Sequence, residues 1–175
     1  FEVRTDRFKS SEEICISRAV MNQKWNLVEP QRLDIKMIDA SGSSLDMYGS
    51  VSMANSGAFV LSLWVPYWIV NKSGIPLVVK QEAADNFAAG QYDEHERAKD
   101  RNPLMFSFVD IDCPKRCSIR VGNQHLRTQG YKPLFSRSFS LTAGVQSLKL
   151  LLTHTEKPRL IYNIGVEVRQ GTGRY

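Results

Sequence analysis

Long apolar runs are missing from this sequence. The longest, residues 58–70, is broken by Ser62 and Pro66 and falls short of the roughly twenty residues that a membrane-spanning helix needs. Cysteine is scarce and odd in number, with only Cys15, Cys113 and Cys117, whereas small oxidised domains carry an even and denser set. A reducing, cytoplasmic setting is therefore expected. The opening residues include Glu2, Arg4, Asp6, Arg7 and Lys9, unlike the basic-then-apolar layout of a secretory signal; they read as the interior of a longer chain. Acidic residues nearly vanish from the C-terminal third. Residues 113–175 hold eleven Lys or Arg against Glu156 and Glu167, a balance of +9, while residues 1–112 balance at −4. That third should favour anionic surfaces through long-range attraction, screened beyond about 10 Å at ordinary salt. Lys115, Arg116, Arg127, Lys132 and Arg137 are its candidate anion patch.

Signatures of catalysis are also missing. The sequence has no Gly-x-Ser-x-Gly, no His-Glu-x-x-His and no glycine-rich phosphate loop, so it lacks the nucleophile, metal and phosphate constellations that chemistry requires. Cys113-Pro-Lys-Arg-Cys117 followed by His125 offers zinc-type ligands, but with three intervening residues and no second close pair. Two ordinary cysteines at a turn between strands are the reading preferred. His95 lies in a solvated charge run, His154 alternates with Leu152 on a strand, and His125 stands in a polar loop. The stretch 127–135 mixes Arg127, Tyr131, Lys132 and Phe135 in the manner of single-strand binders, yet the strand signatures of RNA-binding sheets are absent. No enzyme, metal, cofactor or nucleic-acid partner is expected.

What the sequence does have is a foldable composition, 42% hydrophobic and 23% charged over 175 residues, enough for one ordinary domain or two small ones. Short apolar or alternating runs recur between Gly, Pro, Asn and Ser clusters, the pattern of an all-β antiparallel sandwich. Nine strands are expected, at 33–38, 45–53, 59–70, 76–81, 104–111, 118–121, 136–142, 147–154 and 159–169. Phe106 and Phe108 share one face, as do Ile164, Val166 and Val168, because side chains alternate along a strand. Pro66 has no N–H to donate, so the strand at 59–70 lies at an edge or breaks there. Asn71-Lys-Ser-Gly74 between apolar runs predicts a hairpin. Residues 85–102, nine of them charged or His, read as a long exposed loop.

A faint repeat runs through the chain. Leu33, Ile35, Met37, Leu45 and Gly49 recur as Leu148, Leu150, Leu152, Leu160 and Gly165. Matched strand pairs of this kind suggest a module repeated head to tail: residues 1–62 would be the C-terminal part of one β repeat and 63–175 a complete one.

The stretch Val65-Pro-Tyr-Trp-Ile-Val-Asn-Lys-Ser-Gly-Ile-Pro-Leu-Val-Val-Lys-Gln81, together with Leu160-Ile-Tyr-Asn-Ile-Gly-Val-Glu-Val168 and Gly171-Thr-Gly-Arg-Tyr175, resembles the adaptor-binding, or Short-root-binding, repeats of the vacuolar protein sorting 13 family of bridge-like lipid transfer proteins, with the D branch nearest in pattern. The resemblance implies β-sandwich modules in an arched array that receive short Pro-x-Pro motifs from organelle adaptors. It implies a peripheral, cytoplasmic place at organelle contact sites, the mitochondrion among them, and no lipid conduction by this region itself. The family's hallmark Asn matches Asn71, which either contacts ligand or pins the fold; its amide can bond two backbone groups at once, and pinning is the reading preferred. Tyr67, Trp68 and Phe135 are candidate apolar contacts for a peptide added to a sheet edge, although core burial is the favoured fate of Trp68. The edges considered are the strand interrupted by Pro66 and the strand at 136–142. An anionic membrane or phosphoinositide surface is the rival partner, motivated by the +9 balance, and a scaffold repeat without its own ligand is the third reading.

Overall fold

A computed structural model describes residues 2–5, 7–14, 31–91, 103–123 and 130–171. Eleven strands and no helix occur among them. They are β1 (Gln31–Ile38), β2 (Ser44–Met53), β3 (Phe59–Trp64), β4 (Tyr67–Ile69), β5 (Leu77–Gln81), β6 (Leu104–Phe106), β7 (Arg116–Val121), β8 (Lys132–Leu134), β9 (Phe139–Ser140), β10 (Gly144–Thr153) and β11 (Leu160–Val168). Every pairing is antiparallel, and the strands form four small sheets, ordered β1-β2-β3, β4-β6, β5-β7-β9 and β8-β10-β11. The chain is all-β.

Alternation decides which faces close. In β1, Leu33, Ile35 and Met37 are buried while the residues between them are exposed, and opposite them Leu45 and Met47 complete a core with Val3, Val51, Val65 and Ala89. Gly49 serves a close approach: a Cβ there would stand 3.0 Å from Leu63 Cδ2 and 3.4 Å from Leu33 Cβ, so its lack of a side chain lets β1 and β3 close over it. A second core draws on three sheets. Val79, Cys117, Ile119, Val121 and Phe139 come from β5-β7-β9, Leu148, Leu150 and Leu152 from β10, and Leu104 and Phe106 from β6. Two antiparallel sheets meeting through such a core make a β-sandwich.

Side-chain bonds join the first hairpin to later parts of the chain. The buried Asp39 carboxylate accepts from Ser41 N at 2.8 Å, Ser41 Oγ at 2.6 Å, Ser43 N at 2.9 Å and, far along the chain, Gly90 N at 2.9 Å. Burial alone would raise its pKa, but the bonds from Ser41, Gly90 and Ser43 outweigh that and hold the carboxyl below its ordinary value. Asp46 N donates to Ser107 Oγ at 2.8 Å.

Several expectations are corrected. The hairpin at 71–74 does not form: β4 pairs with β6, β5 pairs with β7, and the turn carries the chain from one sheet to another. Its local chemistry is as expected, with Gly74 at φ +73°; the partners of both strands come from distant sequence, which turn residues do not encode. The run 59–70 breaks at Val65-Pro66 into β3 and β4. The strand expected at 104–111 pairs only over Leu104–Phe106, the one at 136–142 only over Phe139–Ser140, and β8 is additional. In the 85–102 loop, residues 92–102 lie outside the described residues, as do Cys15, His95 and His125.

The repeat acquires a register. Met37 faces Leu45 across the first hairpin and Leu152 faces Leu160 across the last, with Ile35 opposite Met47 and Leu150 opposite Tyr162. A constant offset of 115 residues relates the two hairpins. Under it, Ile164, not the expected Gly165, takes the place of Gly49, since Leu33 faces Gly49 and Leu148 faces Ile164.

Candidate functional site

Asn71 organises the turn between β4 and β5. Its Nδ2 donates to Ile75 O at 2.7 Å, and its Oδ1 accepts from Ser73 N at 3.0 Å and Ser73 Oγ at 2.7 Å. The amide thus ties the turn to itself, as Asn does in Asx-type turns. Just before it, the strand pleat separates neighbours: Tyr67 turns inward, 6.1 Å from the Phe106 ring and 5.5 Å from that of Phe108, and Trp68 turns outward, 53% exposed. The expected core burial of Trp68 is therefore wrong. Alternation places Tyr67 and Trp68 on opposite faces, and the core side belongs to Tyr67.

Phe135 keeps different company. It lies 6.1 Å from Phe87, with Lys80 Nζ 4.9 Å and Arg120 Cζ 5.4 Å from its ring. Arg120 also stands 5.3 Å from Phe87 and donates to Val121 O at 2.8 Å and Asn123 Oδ1 at 3.2 Å. Cations over aromatic faces gain about 0.5–2 kcal/mol each, more as they are desolvated. Sequence reasoning missed Lys80, Phe87 and Arg120. No local pattern links them to Phe135; the pairing of β5 with β7 sets Lys80 and Arg120 on one sheet, and the bonds from Ala88 N to Val79 O and from Ser136 N to Ile119 O bring Phe87 and Phe135 alongside.

Two cations of the expected patch are individually engaged. Arg116 Nε is 3.2 Å from Glu82 and its guanidinium bonds Ser138, while Arg137 donates to Ser147 O at 3.3 Å. Lys115 and Lys132 are exposed, and Arg127 lies outside the described residues. Cys117 is fully buried in the second core, and desolvation pushes its thiol up to about 12. Cys113 is raised chiefly by a hydrogen bond to Asp110. His154 Nδ1 accepts the backbone N–H groups of Glu156 and Lys157 at 2.9 and 3.0 Å, which makes it the cap of the β10–β11 turn. Among the described residues, no cluster of His, Cys, Asp or Glu is placed to hold a metal, and no helix is long and apolar enough to cross a membrane.

Sheet edges are treated unequally, and that matters because an open edge is a template for another strand. The edge of β5 is covered: the Gln91 amide accepts from Val79 N at 2.7 Å and donates to Val79 O at 2.7 Å, imitating a paired residue, and Ala88 N adds a bond to Val79 O. Strand β9 ends the same sheet but has only two residues. Strand β3 ends its sheet with six residues, of which Val60 and Leu61 are each 41% exposed.

Small antiparallel sheets closed over shared cores, with exposed apolar residues on β3 and no cluster among the described residues placed to hold a metal, define an all-β domain of the kind that serves as an interaction module. The chain belongs to the vacuolar-sorting associated protein 13 adaptor-binding domain family, whose profile matches residues 1–175. It is 35% identical over 143 residues to the human intermembrane lipid transfer protein VPS13D, covering 81% of this chain and 3% of that protein. It is 34% identical over 149 residues to the Drosophila melanogaster intermembrane lipid transfer protein Vps13D, covering 85% of this chain and 4% of that one. The chain thus spans only a few per cent of the length of these relatives.

Proposed function

We propose that this domain captures short proline-containing segments of adaptor proteins along the outer edge of β3, from Val60 to Trp64, and so positions a long intermembrane lipid transfer protein at organelle contact sites. The observation that carries the reading is the outer edge of β3, which ends its sheet among the described residues and exposes Val60 and Leu61, in a family defined by adaptor binding. Backbone geometry explains a Pro-x-Pro preference. In an added antiparallel strand, the N–H and C=O of one residue face the sheet and those of the next face away. Prolines at alternate positions then point their missing donors at solvent, while the residue between them pairs with β3. A chain already extended by two prolines also loses less entropy on binding. Residues 63–175 act in this reading as one complete repeat and 1–62 as the end of another. Asn71 shapes the turn after β4, exposed Trp68 on β4 is a candidate contact, and Tyr67 and Phe135 are further candidates set apart from β3, on Phe106 and Phe108 and on Phe87 respectively.

The test is titration of a fluorescent Pro-x-Pro adaptor peptide against the wild type, the Val60→Lys/Leu61→Lys double variant and Asn71→Ala, with each melt recorded. The expected result is saturable binding that the double lysine variant weakens at least tenfold with its melting unchanged. Full binding by that variant, or none by the folded wild type, overturns the assignment to β3; the second outcome makes this repeat a scaffold. The +9 balance of residues 113–175 motivates a phosphoinositide surface as the other partner. Titrating salt separates the two, because lipid attraction falls steeply with ionic strength and main-chain pairing does not.

A further inference from the structure

Strands β2 and β11 hold the same place in two hairpins related by a 115-residue offset, yet they are covered differently. The core-facing row of β2 is closed: Leu45 is 1% exposed, Met47 7% and Val51 1%. Its second edge takes β3, from Tyr48 opposite Trp64 to Met53 opposite Phe59, and Leu63, Val65 and Met105 join Val3, Phe8 and Ala89 in the cover. The corresponding row of β11 is half-open. Leu160, the counterpart of Leu45, is 36% exposed, and Tyr162, Ile164 and Val166 are only partly buried. On the other face Ile161 is 46% exposed. Strand β11 ends its sheet, with no third strand beyond it among the described residues.

We propose that the outer edge of β11, from Asn163 to Val168, receives a strand from a following repeat of the same polypeptide, antiparallel and in the register by which β2 receives β3. The offset carries Tyr48–Met53 onto Asn163–Val168 position by position. The occupant is a following repeat because β2 draws its third strand, and Leu63, Val65 and Met105 of its cover, from the chain that follows its own hairpin. Residues that β2 buries under this cover have counterparts in β11 that are only partly covered at the same positions. One difference sets a size rule. Ile164 fills the place of Gly49, over which Leu63 packs, so the arriving strand carries a side chain smaller than leucine opposite Ile164. Adjacent repeats are then stitched by a shared sheet as well as by side-chain contact, and the array is stiff at each junction.

Hydrogen exchange tests this. Amide exchange is followed in this chain, in a chain extended through the following repeat of the same protein, and in that extended chain with two consecutive prolines at the positions 115 residues after Ser62 and Leu63. Exchange across Asn163–Val168 is expected to slow at least tenfold on extension, independently of concentration, and to return to the short-chain rate in the proline variant. Protection of Tyr48–Met53 is the folding control and stays constant. Equal exchange in the short and extended chains overturns the proposal. So does protection in the short chain that fades on dilution, which would assign the edge to a second copy, and so does protection that survives the prolines.

Discussion

Removing or altering the Asn71 carboxamide should separate its donor from its acceptor. The side chain makes three bonds, one given to Ile75 O and two received from Ser73. The turn is largely exposed, so water replaces lost partners and each bond is worth the low end of about 0.5–1.5 kcal/mol. Asn71→Ala should therefore cost about 1–2 kcal/mol, which lowers Tm by about 3–6 °C at this chain length. Asn71→Asp keeps the acceptor for Ser73 but places a carboxylate oxygen against the Ile75 carbonyl, at a contact of 2.7 Å in the wild type. At pH 7 it should cost at least as much as alanine. Its protonated form can donate to Ile75 O, so the folded state raises the pKa of the new carboxyl. A raised pKa contributes stability that is fully present below the unfolded value of about 3.9 and is lost as pH rises through the folded value. Relative to the wild type, the aspartate variant should thus recover on acidification to about pH 3.5. Thermal melts by circular dichroism between pH 3.5 and 7 read this directly. An aspartate variant that melts with the wild type at pH 7, or an alanine variant within 1 °C of it by this ~3–6 °C argument, would refute the account of the turn.

Asp39 should show the opposite acid dependence: its depressed folded pKa supplies stability above about pH 4 that is lost as pH falls through the folded value, and Asp39→Asn should flatten that limb in acid-unfolding curves. Asp39→Ala strands the buried N–H groups of Ser43 and Gly90 and should cost about 2–3 kcal/mol by urea denaturation. Leu150→Ala, in a fully buried position between the two sheets, should cost about 2–5 kcal/mol in the same assay. Cys117, buried with its thiol pushed up to about 12, should stay unmodified by a thiol reagent at pH 8 until the protein unfolds; rapid labelling of the native chain would contradict its burial.

Much of the strand content was legible because burial writes a period of two. Leu33, Ile35 and Met37, and later Leu148, Leu150 and Leu152, alternate in sequence and are buried in the structure. Pro66 marked the break between β3 and β4 for the reason that any proline does, a missing ladder donor. The turn at 71–74 was legible as a turn but not in its consequence, because a hairpin and a crossover between sheets open with the same residues. Trp68 shows the same limit: alternation set it opposite Tyr67, and which of the two faced the core waited on Phe106 and Phe108. The grouping of Lys80, Phe87, Arg120 and Phe135 had no local signal at all.

The sequence alone determined the all-β class, the family and the repeated hairpin, since these rest on local alternation, motif identity and a fixed offset. Only the tertiary structure decided which strands are neighbours, which edges are closed and which end a sheet among the described residues. Gln91 closes β5 from ten residues beyond the end of that strand, and β3 leaves Val60 and Leu61 exposed while closing over Gly49. The physical reason is that backbone pairing looks much the same for every residue type. Side-chain pattern says that a strand will form, and the three-dimensional competition for hydrogen-bonding edges says what it pairs with.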